Sequence, residues 1–338
     1  MPAIAGTTIN ESMRCTMKKI LVTIPVLQEH KEYLEKIGNG MEFEYAHRAE
    51  KTTKEQVENA NIILGNVKVN YLKDAKNLEF LQLDSAGAAQ FTEPDVLPKG
   101  VKLCNATGAY GRSISEHMLA QVFTLKKKLN LYQDNMKHHQ WKDEGIVTTI
   151  FGSTTLVLGL GNIGGEFAKR MHALGSRVIG IRRNKTDKPK YLDELYQMDK
   201  LEELLPQADI VACSLPGTKA TYHLFDRQKL KLMKKDAILL NVGRGNLIST
   251  EDLIWALEEN KIAGAAIDVA EIEPLPKDSP LWDTKNLIIT PHIAGNFHTR
   301  DILDTIVSIA GENLSAYLAG KPLKNEVDFE TGYRKFIQ

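Results

Sequence analysis

The stretch Leu156-Val157-Leu158-Gly159-Leu160-Gly161-Asn162-Ile163-Gly164-Gly165 runs an apolar strand straight into the pattern G-x-G-x-x-G, and an amphipathic helix begins at about Ile163. Each glycine has its own task. Gly159 allows the tight turn, Gly161 lets the backbone approach a pyrophosphate, and Gly164 lets the new helix sit close on the sheet with its N-terminal amides facing the phosphates. The pattern alone is weak evidence, but with a strand before it and a helix after it the expected role is a dinucleotide site, the alternative being an empty structural turn. The whole turn, Gly159-Leu160-Gly161-Asn162-Ile163-Gly164, is therefore a candidate cofactor loop.

A second strand, Arg177 to Ile181, ends in Arg182-Arg183, about eighteen residues beyond Gly164. At that distance an acidic residue would hydrogen-bond the ribose hydroxyls of NAD. Here stand two arginines, followed by Asn184 and Lys185. A 2′-phosphate carries close to two negative charges, and guanidinium groups are the natural fork for it. The expected cofactor is NADP. The alternative is NAD, with the arginine pair a solvated feature whose stems cover the adenine.

With 338 residues the chain has room for one or two domains and a full core. Lys plus Arg and Asp plus Glu balance at 43 each, so no global field would draw nucleic acid or an anionic membrane. Cys15, Cys104 and Cys213 form neither a disulfide framework nor a metal spacing, and the latter two sit in strand-like apolar runs. They read as small core residues of a reducing compartment, which places the protein in the cytoplasm. No apolar run approaches the length of a membrane span. Residues 1–16 lack an apolar h-region and contain Glu11 and Arg14, so they read as a poorly ordered extension rather than a secretory signal.

From Lys19 to Asn105 short apolar strands alternate with helical patterns. The strand candidates are Lys19–Ile24, Met41–Tyr45, Ile62–Leu64, Leu78–Leu83 and Val101–Asn105, with helix-like stretches at Leu27–Ile37 and Thr53–Glu58. Such alternation indicates a parallel sheet. A long helix is expected from Ser113, where Ser113-Ile114-Ser115-Glu116 matches a capping box. A second alternation opens with the glycine turn and continues through strands Ile210–Ser214, Ala237–Asn241, Ala263–Asp268 and Leu287–Ile289. A final helix, Thr299 to Ala319, is expected to return to the first sheet. The run Lys126-Lys127-Lys128 reads as a solvated helix face and His138-His139 as surface.

Three more segments follow strands of the second alternation: Asn241-Val242-Gly243-Arg244-Gly245, Asp268-Val269-Ala270-Glu271-Ile272-Glu273-Pro274 and Thr290-Pro291-His292-Ile293-Ala294-Gly295. Taken singly, the Arg could cap a strand end, the Glu could be surface, and the His could be satisfied structure. Four polar or glycine-rich features at four strand ends are much harder to obtain by chance.

With these segments the chain resembles the D-isomer-specific 2-hydroxyacid dehydrogenase family, of the NADP-using glyoxylate/hydroxypyruvate reductase kind, from about Lys18 to Asp328. The resemblance also takes in Ser115-Glu116-His117, Leu215-Pro216 with Thr221 beyond, Ser279-Pro280-Leu281-Trp282 and Gly320-Lys321-Pro322-Leu323. It implies an α/β fold of two parallel-sheet domains with a cleft between them. A flavodoxin-like substrate domain would take residues 17–112 plus 294–338, and a Rossmann dinucleotide-binding domain residues 113–293. It further implies a two-fold homodimer built through the cofactor domain.

The same resemblance implies that Arg244, Glu273 and His292 form a catalytic trio that reduces a small 2-oxo acid. Histidine can serve as acid in one direction and base in the other, a carboxylate beside it favours the imidazolium, and an arginine can grip the substrate carboxylate and polarise its carbonyl. Glu271 competes with Glu273 by position, and the family spacing from Asp268 favours Glu273. Asp268 would contact the nicotinamide carboxamide, Val242-Gly243 would lie along the nicotinamide, and Leu215-Pro216, with Thr221, would flank the adenine side. Ala86 and Gly87, in Ser85-Ala86-Gly87-Ala88, would hold the substrate carboxylate through their amides; the alternative there is a plain small-residue turn. No His, Cys and carboxylate cluster has metal-ligand spacing. Two other functions fit the same residues: the same chemistry on a bulkier 2-oxo acid, and a nucleotide-sensing protein acting through partners.

Overall fold

The computed structural model describes residues 17–183, 187–297, 299–330 and 332–335. The expected N-terminal extension 1–16, and with it Cys15, lies outside the described residues, as do Asn184 and Lys185. The chain divides into two compact units, one taking the described residues up to Ala109 and from Leu303 onward, the other Tyr110–Ile302.

The first unit contains β1 (Lys19–Val22), α1 (Gln28–Ile37), β2 (Glu42–Tyr45), α2 (Lys54–Asn59), β3 (Ile62–Leu64), α3 (Val69–Leu72), β4 (Phe80–Gln82) and β5 (Lys102–Cys104). The strands pair in parallel in the order β2-β1-β3-β4-β5, the flavodoxin-like order. α2 starts where a capping box predicts it: Thr53 Oγ1 accepts from the Gln56 amide, and the Gln56 side chain accepts from the Thr53 amide.

The second unit contains α4 (Gly111–Lys126), α5 (Leu129–Lys137), β6 (Thr154–Leu158), α6 (Asn162–Ala173), β7 (Arg177–Ile181), β8 (Glu194–Tyr196), α7 (Leu201–Leu204), β9 (Ile210–Cys213), α8 (Arg227–Leu232), β10 (Ile238–Asn241), α9 (Thr250–Glu258), β11 (Gly264–Ile267) and β12 (Leu287–Ile289). α10 (Arg300–Leu318) begins there and runs into the first unit. Among the described residues the sheet is seven-stranded and parallel, in the order β12-β11-β10-β9-β6-β7-β8. Counted from β6 this is the Rossmann order 3-2-1-4-5-6 with one strand added. β9 and β10 are buried along their whole length, as strands covered on both faces must be.

The register of this sheet decides where the chemistry lies. Pairing sets Leu158 beside Ile181 and Cys213, Cys213 beside Asn241, Asn241 beside Ile267, and Ile267 beside Ile289. The chain therefore leaves six strands along one carboxyl edge, through Gly159, Arg182, Ser214, Val242, Asp268 and Thr290.

Two sequence expectations are corrected. The long helix starts at Gly111, with Tyr110 as N-cap and no side-chain cap, so Ser113 lies inside it. Close packing on α6 sets the start instead: a Cβ on Gly111 would stand 2.4 Å from Asn162 Oδ1. The Ser113 hydroxyl turns towards the Ala294 carbonyl, at 3.4 Å. Lys126 is not on a solvated face either, since it is buried where α4 ends beneath the segment carrying Thr148, whose amide donates to the Lys126 carbonyl. Burial pushes its ammonium group below the usual lysine range against the pull of Asp209 and Asp236. His138 and His139 are exposed. α5 and the three-residue edge strand β8 do not appear in the sequence reading.

Candidate active site

Gly159 turns with φ 91°, a left-handed conformation that glycine adopts without a side-chain clash. A Cβ on Gly164 would stand 1.9 Å from the Gly159 carbonyl oxygen, so only glycine lets α6 start this close to the strand end. A Cβ on Gly161 would meet nothing within 4 Å. This residue is the N-cap of α6 and gives its amides no side-chain cap. An uncapped N-terminus of a twelve-residue helix, with open space before it, fits a pyrophosphate. Leu160 and Gly180 hold the turn on the neighbouring strand, where a Cβ on Gly180 would meet the Leu160 side chain at 2.5 Å.

Arg182 and Arg183 follow β7 on the same edge. The Arg182 amide donates to the Tyr196 carbonyl, and the Arg183 carbonyl accepts from the Gln197 side chain at 2.9 Å. Arg183 is exposed and Arg182 half-buried. After β9, Leu215 and Pro216 enter a loop that Thr221 fastens: its hydroxyl donates to the Pro216 carbonyl at 2.6 Å and accepts from the Thr218 amide at 2.8 Å.

After β10, Val242 and Gly243 are buried, and the Gly243 amide donates to Asn241 Oδ1 at 3.0 Å. Arg244 is exposed, with its guanidinium donating to the Gly243 carbonyl at 2.8 Å. Gly245 then lies against the chain after β11, where a Cβ would stand 1.9 Å from the Ala270 carbonyl.

His292 Nδ1 and Glu273 Oε2 are 2.7 Å apart, and the other Glu273 oxygen accepts from the Ala270 amide at 2.9 Å. The two side chains are half-exposed, at 52% and 37%, so the imidazole is both partnered and open to a small molecule. The backbone of His292 is left-handed, φ 54°, a conformation that persists only when its surroundings enforce it. Asp268 supplies that enforcement. Its carbonyl accepts from the His292 amide at 2.8 Å, while its carboxylate accepts from the amides of Ile293 at 3.0 Å and Ala294 at 3.1 Å.

Sequence reasoning missed the residues behind Asp268. The Thr290 hydroxyl donates to Asp268 Oδ1 at 2.6 Å, so the His117 Nε2 lying 3.1 Å from that hydroxyl must carry a proton. Gln121 also reaches this nitrogen, at 2.9 Å. With its oxygen turned towards the imidazole, the Gln121 amide accepts from that N–H. Thr290 opens a segment the sequence singles out, but without this role. His117 stands in the Ser115-Glu116-His117 stretch with no role assigned to it, and Gln121 carries no signal of its own.

In the first unit, Ser85-Ala86-Gly87 follows β4. The Ser85 hydroxyl donates to the Gly87 carbonyl at 2.7 Å, and Asn105 Nδ2 donates to the Ala86 carbonyl at 2.9 Å. The amides of Ala86 and Gly87 have no acceptor among the described residues. Nor, among those residues, does any group of His, Cys, Asp and Glu side chains form a metal site.

Residues 119–294 match the family model for the D-isomer specific 2-hydroxyacid dehydrogenase, NAD binding domain. The chain is 33% identical over 262 residues to a glyoxylate reductase of Thermococcus gammatolerans, covering 75% of this chain and 73% of that one. It is 31% identical over 323 residues to a D-3-phosphoglycerate dehydrogenase of Methanocaldococcus jannaschii, covering 92% of this chain and 60% of that protein. Among solved structures, a D-isomer specific 2-hydroxyacid dehydrogenase family protein from Aeromonas salmonicida is similar with a TM-score of 0.81 and 30% identity, over 93% of this chain and 100% of that chain.

Proposed function

Because the chain belongs to the D-isomer specific 2-hydroxyacid dehydrogenase family, we propose that it reduces a small 2-oxo acid to the D-2-hydroxy acid with NADPH, using His292 as general acid. The observation that carries this reading is the bond between His292 and Glu273 on the same sheet edge as the glycine turn.

The bound nicotinamide supplies the hydride to the carbonyl carbon. Negative charge then develops on the carbonyl oxygen, where His292 delivers a proton. Glu273 occupies Nδ1, so Nε2 is the donating nitrogen. Glu273 fixes the ring through its bond to Nδ1. Arg244 exchanges its bond to Gly243 for the substrate, gripping the carboxylate and polarising the carbonyl with a charge that never titrates. The amides of Ala86 and Gly87 are assigned to a carboxylate, and the uncapped amides of α6 to the pyrophosphate. Val242, Gly243 and Asp268 are assigned to the nicotinamide side, Leu215, Pro216 and Thr221 to the adenine side. Arg182 and Arg183 stand where the 2′-phosphate would lie, which supports NADPH over NADH.

The reading includes a cytoplasmic homodimer formed through the second unit. Trp141, Ile146 and Phe151 of that unit are fully or largely exposed, as apolar residues awaiting a partner surface would be. No helix among the described residues is long and apolar enough to cross a membrane.

The test is a spectrophotometric screen of NADPH and NADH oxidation against a panel of 2-oxo acids, with His292→Ala as control. Turnover that disappears in the control is the expected result. Turnover of only aromatic or branched acids would move the substrate to the bulkier class. Binding of nucleotide with no turnover of any acid would replace the reductase with a nucleotide-sensing protein.

A further inference from the structure

Glu271 lies two residues before Glu273, yet its carboxylate has different partners. Oε2 accepts from the Thr250 amide at 2.7 Å, and Oε1 is 2.5 Å from His223 Nε2. Burial alone would raise the Glu271 carboxyl; hydrogen bonds from Thr250 and His223 outweigh it and hold the group below the usual range.

His223 is built into a constrained place. Its backbone is left-handed, φ 47°, and its ring stacks on Tyr222 with centroids 4.0 Å apart. Its amide donates to the Asn246 carbonyl at 2.8 Å, and two residues on Phe225 donates to Leu247 at 3.0 Å. Residues 223–225 are thus laced to the chain after Arg244, while the His223 ring holds the chain that leads to Glu273. Between those two chains Gly245 presses on the Ala270–Glu271 peptide, and the void there measures about 10 Å³, room for at most one water. A shift in either chain must move the other.

We propose that His223 is a positioning residue: through Glu271 and Asn246 it joins the Arg244 turn and the Glu273 loop into one body, and thereby sets the contact between Glu273 and His292. The assignment rests on the reductase reading for its importance in turnover, but the contact it sets can be measured without turnover.

Asparagine tolerates left-handed backbone but its shorter side chain does not span to Glu271, so His223→Asn removes the bond with the least backbone strain. His223→Gln keeps a donor of suitable reach. Two readouts are made on the full chain: the pH–rate profile for 2-oxo acid reduction, and NMR titration of the nitrogen-15-labelled His292 ring. For His223→Asn we expect a fall in kcat of about tenfold or more, the scale of one charge-assisted hydrogen bond, with the KM for NADPH within about twofold. The pH–rate profile and the His292 ring titration should both differ from those of the unmodified protein. His223→Gln should recover most of these changes.

An unmoved His292 titration in His223→Asn overturns the proposal, as does a His223→Gln variant no better than His223→Asn. If His223→Asn does not fold, Glu271→Gln takes its place, because it keeps the shape and removes the charge that His223 meets. A wild-type protein that turns over no 2-oxo acid defeats the reductase reading instead, and the ring titration then still decides the role of His223.

Discussion

The Thr290 hydroxyl donates to the buried carboxylate of Asp268 at 2.6 Å, on the chain that leads directly into His292. Removing it leaves Asp268 one donor short beneath a strained backbone. Thr290→Val keeps the shape and loses the hydroxyl, so stability should fall by about 1–3 kcal/mol. The reduction rate should fall by about tenfold or more as His292 loses its fixed position. Thermal midpoint and kcat check this, and a Thr290→Ser variant that fails to recover either would count against the hydroxyl.

His292→Ala and Arg244→Ala should each lower the reduction rate by about a hundredfold or more. Reduction consumes a proton and alcohol oxidation releases one, so the two directions should respond oppositely to pH. Glu273→Gln leaves Nδ1 an acceptor but removes the charge beside the ring, and should lower the reduction rate less than His292→Ala does. Rates measured in both directions across pH decide it; near wild-type turnover in His292→Ala would mean that the acid is misassigned.

Cofactor choice is set, on our reading, by Arg182 and Arg183. An exposed pair at about 4 Å is worth about 1 to 4 kcal/mol per unit charge, depending on screening. At about 1.4 kcal/mol per tenfold, two such contacts at the screened end of that range, about 1 kcal/mol each, give a preference for NADPH of about thirtyfold. The preference should shrink with added salt, and Arg182→Asp should make NADH the better cofactor. The ratio of kcat/KM for the two cofactors in the unmodified protein is decisive, and a ratio favouring NADH returns the arginines to covering the adenine.

Asp84, at the end of the strand that leads to Ala86 and Gly87, is pushed up to about 6 by burial. The usual carboxyl titrates near 3.9, so the folded state keeps the proton longer than the unfolded one. The cost is absent below about pH 4 and complete above about pH 6. Asp84→Asn should therefore be more stable than the unmodified protein at pH 7, by about 1–3 kcal/mol, with the advantage gone at pH 4. Urea unfolding of both proteins at the two pH values measures the difference, and an equal gap at both would show that Asp84 does not titrate in this window.

If the second unit pairs with a second copy, charging its exposed apolar residues should prevent it. The Trp141→Asp, Ile146→Asp double variant is expected to be a folded monomer by light scattering, against a dimeric unmodified chain. A monomeric unmodified chain at all working concentrations removes the homodimer.

Positions that follow from local pattern could be read directly from the sequence. The glycine turn stands between an apolar strand and a helix, and Arg244, Asp268, Glu273 and His292 each follow a strand whose hydrophobic run is plain. Both parallel sheets were legible for the same reason. Ser113 misled because a capping pattern says nothing of a neighbouring helix, and here Asn162 packed on Gly111 decides where α4 starts. Lys126 misled because charge in a sequence does not show what will be folded over it. His117, Thr290 and His223 were invisible as a group: each acts through a residue far away in the chain, and such pairings exist only after the sheet has set its register.

The first unit is interrupted by the second, and its two parts are joined by buried bonds: Asn313 donates to Gln82 at 2.6 Å, and Asn105 donates to the Asn325 carbonyl at 3.2 Å. During synthesis residues 110–302 emerge as one uninterrupted stretch, while the earlier strands wait for α10 and the chain beyond it. The unit made second is therefore the first that can finish folding, and the first unit, whose five strands are all made early, receives its last packing helix only at the end. A ribosome stalled after about residue 330 should already carry a protease-resistant second unit, with its exit tunnel still hiding the pieces that complete the first.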